Sequence, residues 1–564
     1  MDAIRGVRNI VWLLPVVATL MACGGPPPSP DPLVTETMQG DVRGADAGDG
    51  VTVFRGIPYA AAPTGELRWR APALHTRWEG VRDATRFGAA CWQRLTPATS
   101  IYTRGNLERS EDCLFANVWT PRPVVDERPD VQERLADEMR PGLDERPVRD
   151  QRPVMVWFHG GGHSGGWGSA RVFDGVSLAS HDVVVVTINY RLGVLGFLAH
   201  PGLTAESAEG ASGNYGLLDK VAALQWVQNN IAAFGGDPDN VTIFGQSAGS
   251  WSVCSLVASP LARGLFHRAI GQSGGCLVRP RPLLDAGERS AHDIGVSAAK
   301  AAGIEGAGAV AVAAMRALPA EELVDSPLGR TGSAGVIVDG WFLPRPAGEI
   351  VRAGAHNRVP VMVGSLADEG TTLYAGMPEL SRSAYEERVR QQYGEAAQAL
   401  LDAYAGAADV STQRALQAMA ADRGFTLEMR TWARAAQADG AYLYFMSHAP
   451  PAFRIYTPDA ADIDLPLGRR GYGAYHSGDL AYVFGNTHIV GLDWEARDHV
   501  LAQTMSGYWI NFARTGDPNG TGLPAWPAYA QASDQAMEFG HETRPVKAVR
   551  KDKLDLLERV LEAE

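Results

Sequence analysis

Apolar, β-branched runs recur along this chain between stretches of helical spacing. They are VTVFRGIPYA (51–60), CLFANVWTP (113–121), PVMVWFHGGG (153–162), DVVVVTINYRLG (182–193), NVTIFGQS (240–247), HRAIGQSG (267–274), VPVMVGS (359–365) and AYLYFMSH (441–448). Positions 183–188 are apolar almost without a break, the pattern of a strand buried on both faces. Such strands alternating with helices predict an α/β fold: a mostly parallel sheet covered by helices, with ligands outside the carboxyl ends of the strands. From about 280 to 430 the chain is Ala-rich and helical in pattern, material for helices that roof the sheet. Leu554, Leu557 and Leu561 recur at helical spacing and predict a packed terminal helix. Residues 121–153 break the pattern. There acids and arginines alternate between prolines, with almost nothing apolar to bury, so an exposed insertion is expected.

Composition narrows the function. With 45% hydrophobic residues in 564, one large catalytic domain is the expectation, here bounded as 34–564. A formal charge of −13 excludes nucleic acid as a partner, because phosphate binding needs a basic surface. At the N-terminus, Arg5 and Arg8 precede an apolar run over 10–21, too short for a permanent span and suited to an export signal over 1–22. The run ends in Leu20-Met21-Ala22-Cys23, which resembles a bacterial lipoprotein cleavage box with Cys23 as the lipidated residue, although Met21 is an imperfect match. A Gly/Pro-rich tether over 23–33 follows, and lipid at Cys23 would be the only membrane contact. The bland alternative is a cleaved secretory peptide. The remaining cysteines, Cys91, Cys113, Cys254 and Cys276, are even in number, and neighbourhood favours Cys91 with Cys113 and Cys254 with Cys276. No metal-ligand spacing, phosphate loop or HExxH occurs, so no cofactor or metal is expected.

The candidate chemistry centres on Gly-x-Ser-x-Gly, which occurs around Ser164, Ser247 and Ser273. Only Ser247 has strand, turn and helix in order, the context of a nucleophile elbow. A tight turn with a solvated serine suits the other two. The strand at 153–158 empties into His159-Gly160-Gly161-Gly162, where missing side chains let backbone N–H groups approach a substrate oxygen. Such donors are each worth roughly 3 kcal/mol in the transition state. Gly160, Gly162 and Gly165 also fit a dinucleotide-binding turn, but neither a following helix start nor an acid at the end of the next strand supports that reading. For the orienting acid, Asp368 and Glu369 are adjacent after the strand at 359–365, and spacing does not choose between them. For the base, His448 and His476 both follow in suitable loops, ahead of His488, His499 and His541. Trp251 reads as a core aromatic on the nucleophile helix more than as a pocket wall.

EDCLFANVWTP, PVMVWFHGGG, INYRLGVLGFL, GNYGLLDKVAALQWVQNNIAAFGGDPDNVTIFGQSAG, SPLARGLFHRAIGQSG, ADEGT, GAYHSGDLAYVFGN and FARTGDPN together resemble the type-B carboxylesterase family of α/β hydrolases, in order and across nearly the whole mature chain. The resemblance implies a serine carboxylic-ester hydrolase acting on a small-molecule ester. Ser247 would be the nucleophile, Glu369 the acid and His476 the base; Gly161, Gly162 and Ala248 would form the oxyanion hole. It also implies a Cys91–Cys113 bridge. Cholinesterases of this family carry Glu before the nucleophile and a Trp midway in the first cysteine loop, whereas here Gln246 and Trp92 stand, so choline esters are disfavoured. Two readings from other classes compete: a surface protein using the fold only to bind a partner, and a peptidase or amidase. Replacing Cys23 with Ser should move the protein from the membrane to the soluble fraction; unchanged fractionation would reject the lipid anchor.

Overall fold

A computed structural model of the chain describes residues 31–563 except 97–99, 104, 106, 123–150, 278–281, 288, 458–462, 464, 489–491 and 493. The signal, Cys23, nearly all of the tether and the charged insertion between Arg122 and Gln151 lie outside the described residues.

Eleven strands form the main sheet: β1 (Ala45–Gly48), β2 (Val51–Pro58), β3 (Phe115–Pro121), β4 (Arg152–Phe158), β5 (Val184–Ile188), β6 (Gly236–Gln246), β7 (Arg268–Gln272), β8 (Val361–Leu366), β9 (Ala441–Met446), β10 (Gln535–Phe539) and β11 (Thr543–Lys547). Their spatial order is β11-β10-β9-β8-β7-β6-β4-β5-β3-β2-β1. The run from β10 to β5 is parallel, and the pairs at both edges are antiparallel. The apolar runs account for β2 to β9. The sheet edge formed by β10 and β11 escapes such a reading because QAMEF and TRPVK are short and half polar. β5 is buried at every position, as its unbroken apolar run predicts.

Helices cover both faces, among them α1 (Tyr215–Asn230), α2 (Ala248–Ala258), α3 (Leu427–Ala436), α4 (Ala496–Thr515) and α5 (Lys551–Ala563). Leu554 and Leu557 of α5 are fully buried, packed with Tyr385, Leu400, Tyr404 and Leu427. Chain order reverses around β4, whose neighbours are β5 on one side and β6 on the other. A crevice outside the carboxyl ends of β4 and β6 is therefore where this topology positions a ligand site. Both expected disulfides are present, Cys91–Cys113 and Cys254–Cys276, the second tying α2 to the loop after β7.

Buried polar groups brace the ground beneath that crevice. Arg191, after β5, donates from Nε and a terminal nitrogen to both oxygens of Asp219 on α1, at 2.6–3.1 Å, and its backbone N–H adds a further bond at 2.9 Å. Both residues are at most 3% exposed, so neither charge has water as an alternative partner. Lys220 is also buried: its ammonium sits 3.0 Å from the centre of the Tyr190 ring, and Tyr190 donates to the His159 carbonyl at the end of β4. Asp219→Ala would strand the guanidinium of Arg191 in the interior and should lower unfolding stability by about 3–5 kcal/mol. A urea midpoint equal to wild type would show that the pair contributes nothing.

Candidate active site

Ser247 occupies the single residue between β6 and α2, with φ 58° and ψ −122°. That is a left-handed, strained conformation for a residue with a side chain. The surrounding glycines show why it holds. A Cβ on Gly249 would lie 1.9 Å from the carbonyl oxygen of Phe158, and one on Gly245 would lie 2.6 Å from the Gly249 carbonyl carbon. The strand, the helix and the end of β4 therefore meet in backbone contact, and Ser247 projects from the bend, 9% exposed. Its N–H is held by the Gln272 carbonyl at 2.8 Å, its own carbonyl by the N–H of Trp251 at 2.9 Å.

The other two serines differ. Ser164 is exposed on a turn whose hydroxyl donates to the Gly161 carbonyl. Ser273 corrects the expectation of a solvated turn: it is wholly buried at the end of β7, with φ 55° and its N–H on the Gly364 carbonyl. The neighbouring strand β8 covers it, which a local pattern does not reveal.

Two loops at the same end of the sheet bring the acid and the base together. Glu369, following β8, is completely buried; its Oε1 accepts from the Leu366 N–H at 2.8 Å, and its Oε2 lies 2.5 Å from His476 Nδ1. Asp368, the adjacent carboxylate, turns away and accepts from the Ala474 N–H at 2.9 Å, so it braces the histidine loop without touching the ring. Burial raises its pKa. His448 pairs with Asp498 at 2.6 Å, in a cluster that includes Tyr482 and Arg470. Hydrogen bonds from that cluster hold the Asp498 carboxyl down at about 2 against the cost of burial.

His476 is 2% exposed and enclosed. The Phe425 ring, carried on a π-helical turn over Asp422–Thr426, lies 5.0 Å from the imidazole, and Tyr102 donates to the His476 carbonyl at 2.8 Å. Irregular turns of this kind are frequent at functional sites. A second buried carboxylate, Asp479, sits in the same loop, accepting from Gln272 Nε2 at 2.8 Å and from the Tyr444 hydroxyl at 3.3 Å. Burial pushes it up to about 6. Sequence reading passed over Asp479, and marked Gln246 only as a departure from the cholinesterases; its Nε2 lies 3.1 Å from His476 Nε2. Only the fold brings those positions to the histidine.

Gly160 lies against Ser247, where a Cβ would come within 3.1 Å of the Ser247 Cβ. Gly161 and Gly162 follow with φ 101° and 65°, and at Gly161 a Cβ would collide with the Gly165 carbonyl oxygen at 2.0 Å. Among the described residues the N–H groups of Gly161, Gly162 and Ala248 donate to no protein acceptor. Trp251 is partly buried, its ring 6.0 Å from His163.

A sheet of this order with a serine on the strand-to-helix bend defines an α/β hydrolase. Residues 31–557 match the Carboxylesterase family, and the chain belongs to that family. It is 35% identical to the fumonisin B1 esterase of Sphingopyxis macrogoltabida, over 95% of this chain and 92% of that protein. With the liver carboxylesterase of Sus scrofa it shares 34% identity over 96% and 95%. Among solved structures it is similar to a carboxylesterase from Geobacillus stearothermophilus, with a TM-score of 0.73 and 32% identity over 93% of this chain and all of that one. The protein is a carboxylesterase.

The Asp479 carboxyl gives this site a pH signature. Its folded value near 6 lies above the ordinary 3.8, so the native state holds a proton that the unfolded chain has lost. The resulting stabilisation is complete below about 3.8 and disappears as pH rises through about 6. Asp479→Asn should therefore raise the denaturation midpoint relative to wild type at pH 8 and not at pH 4; an equal difference at both would contradict the buried, unpaired carboxylate.

Proposed function

We propose that this carboxylesterase works through Ser247, His476 and Glu369 by way of an acyl-enzyme. The observation that carries the reading is the Glu369–His476 bond of 2.5 Å, made beside the residue preceding Ser247. A carboxylate on Nδ1 fixes the tautomer whose Nε2 carries the lone pair that takes a proton. His476 removes the Ser247 proton as Oγ attacks the ester carbonyl. The oxyanion is held by the N–H groups of Gly161, Gly162 and Ala248, which donate to no acceptor among the described residues, in support of that role. The imidazolium, stabilised by Glu369, gives its proton to the leaving alkoxide; water activated by the same histidine then releases the acid. No cofactor takes part.

The substrate class is a small carboxylic ester. The named relatives act on esters, and the enclosed base favours chemistry out of contact with bulk water. Export with attachment through Cys23 is proposed on the signal-like N-terminus together with two disulfides, bonds that persist in oxidising compartments.

Hydrolysis of p-nitrophenyl esters from acetate to palmitate tests the mechanism. Ser247→Ala and His476→Ala should each depress kcat by about 10³-fold or more, with the double variant little worse than either. Glu369→Gln should also lose orders of magnitude, through the wrong tautomer. Wild-type turnover in His476→Ala would transfer the base role to another histidine.

A further inference from the structure

The residue before the nucleophile holds the catalytic base. Gln246 ends β6, is 2% exposed, and places its amide nitrogen 3.1 Å from His476 Nε2. Because Nδ1 of that ring faces the Glu369 carboxylate, Nδ1 bears the proton and Nε2 the lone pair in the neutral imidazole. The amide must then donate. Its Oε1 stands where a Cβ on Gly160 would come within 2.9 Å, so the side chain lies between the oxyanion loop and the histidine.

We propose that Gln246 is a positioning residue that aims His476 by donating its amide N–H to the Nε2 lone pair. The proposal rests on the assignment of His476 as base. A donor favours the unprotonated ring, the form that accepts the serine proton. A carboxylate in the same place could only accept, and would favour the imidazolium. The other titratable groups facing His476 are Glu369 from the loop after β8, Asp479 in its own loop and the Tyr102 hydroxyl on its carbonyl; Phe425 closes the remaining side with an apolar ring. Once substrate is bound, the Ser247 hydroxyl takes the place of the amide on the lone pair of a ring whose plane Gln246 has already set.

The experiment is the pH dependence of kcat/KM and kcat for a p-nitrophenyl ester in wild type, Gln246→Glu, Gln246→Met and His476→Ala, with the melting temperature of each. Gln246→Glu, which preserves shape, should move the acid limb of kcat/KM to higher pH by about one unit or more. Gln246→Met should lower kcat about ten-fold while KM changes little, because the ring is less well aimed and ground-state binding is untouched. An unmoved limb in Gln246→Glu, or wild-type kcat in Gln246→Met, overturns the proposal, as does a loss of kcat that only tracks a lower melting temperature. His476→Ala separates the two levels: if it stays active, the base assignment itself falls; if it is inactive while Gln246→Glu keeps the wild-type profile, only the role of Gln246 falls.

Discussion

The backbone contact between α2 and the end of β4 is the constraint on which the rest depends. With 1.9 Å between a would-be Cβ of Gly249 and the Phe158 oxygen, no side chain fits at this crossing. The helix can therefore start immediately after the strand, and the one residue in between must take a positive φ. That conformation costs on the order of 1–3 kcal/mol, and the sheet on one side and the helix on the other maintain it. From this follow the position of Ser247 at the bend, the Ala248 N–H that donates to no acceptor among the described residues, and the closeness of Gly160 to Ser247. The loop after β7 completes the arrangement: a Cβ at Gly274 would lie 2.6 Å from the Ser247 carbonyl oxygen, and the Cys254–Cys276 bridge ties that loop to α2.

Around this bend the charged groups are arranged by burial. Glu369 is wholly enclosed yet retains acceptor bonds from Leu366 and from His476, and its neighbour Asp368 holds the backbone of the histidine loop. Adjacent carboxylates thus divide the work of orienting the ring and fixing the loop that carries it. Gln246 and Asp479 add a neutral donor and an unpaired carboxylate, so the imidazole sits in a polar environment supplied by protein groups and covered by Phe425.

Much of this was legible in the chain. β2 to β9 show as apolar runs because each is covered on both faces, and the elbow shows because strand, glycine-flanked serine and helix are contiguous. What stayed open needed contacts between distant positions. Spacing leaves Asp368 and Glu369 equivalent, since both meet the histidine loop and only the fold shows that Glu369 takes the His476 ring and Asp368 the Ala474 N–H. His448 sits as well in sequence as His476, but its partner Asp498 is fifty positions away. Ser273 reads as a surface turn until β8 is laid beside it, and Gln246 reads only as a departure from the cholinesterases until the fold returns His476 to the same point.

The most direct measurement is intact-mass and peptide analysis after reaction with a fluorophosphonate, which traps an activated serine by forming a P–O bond and releasing fluoride. A single adduct, mapped to the peptide containing Ser247 and absent in His476→Ala, is the predicted result. An adduct on Ser164 or Ser273, or none on protein that hydrolyses esters, would contradict the account.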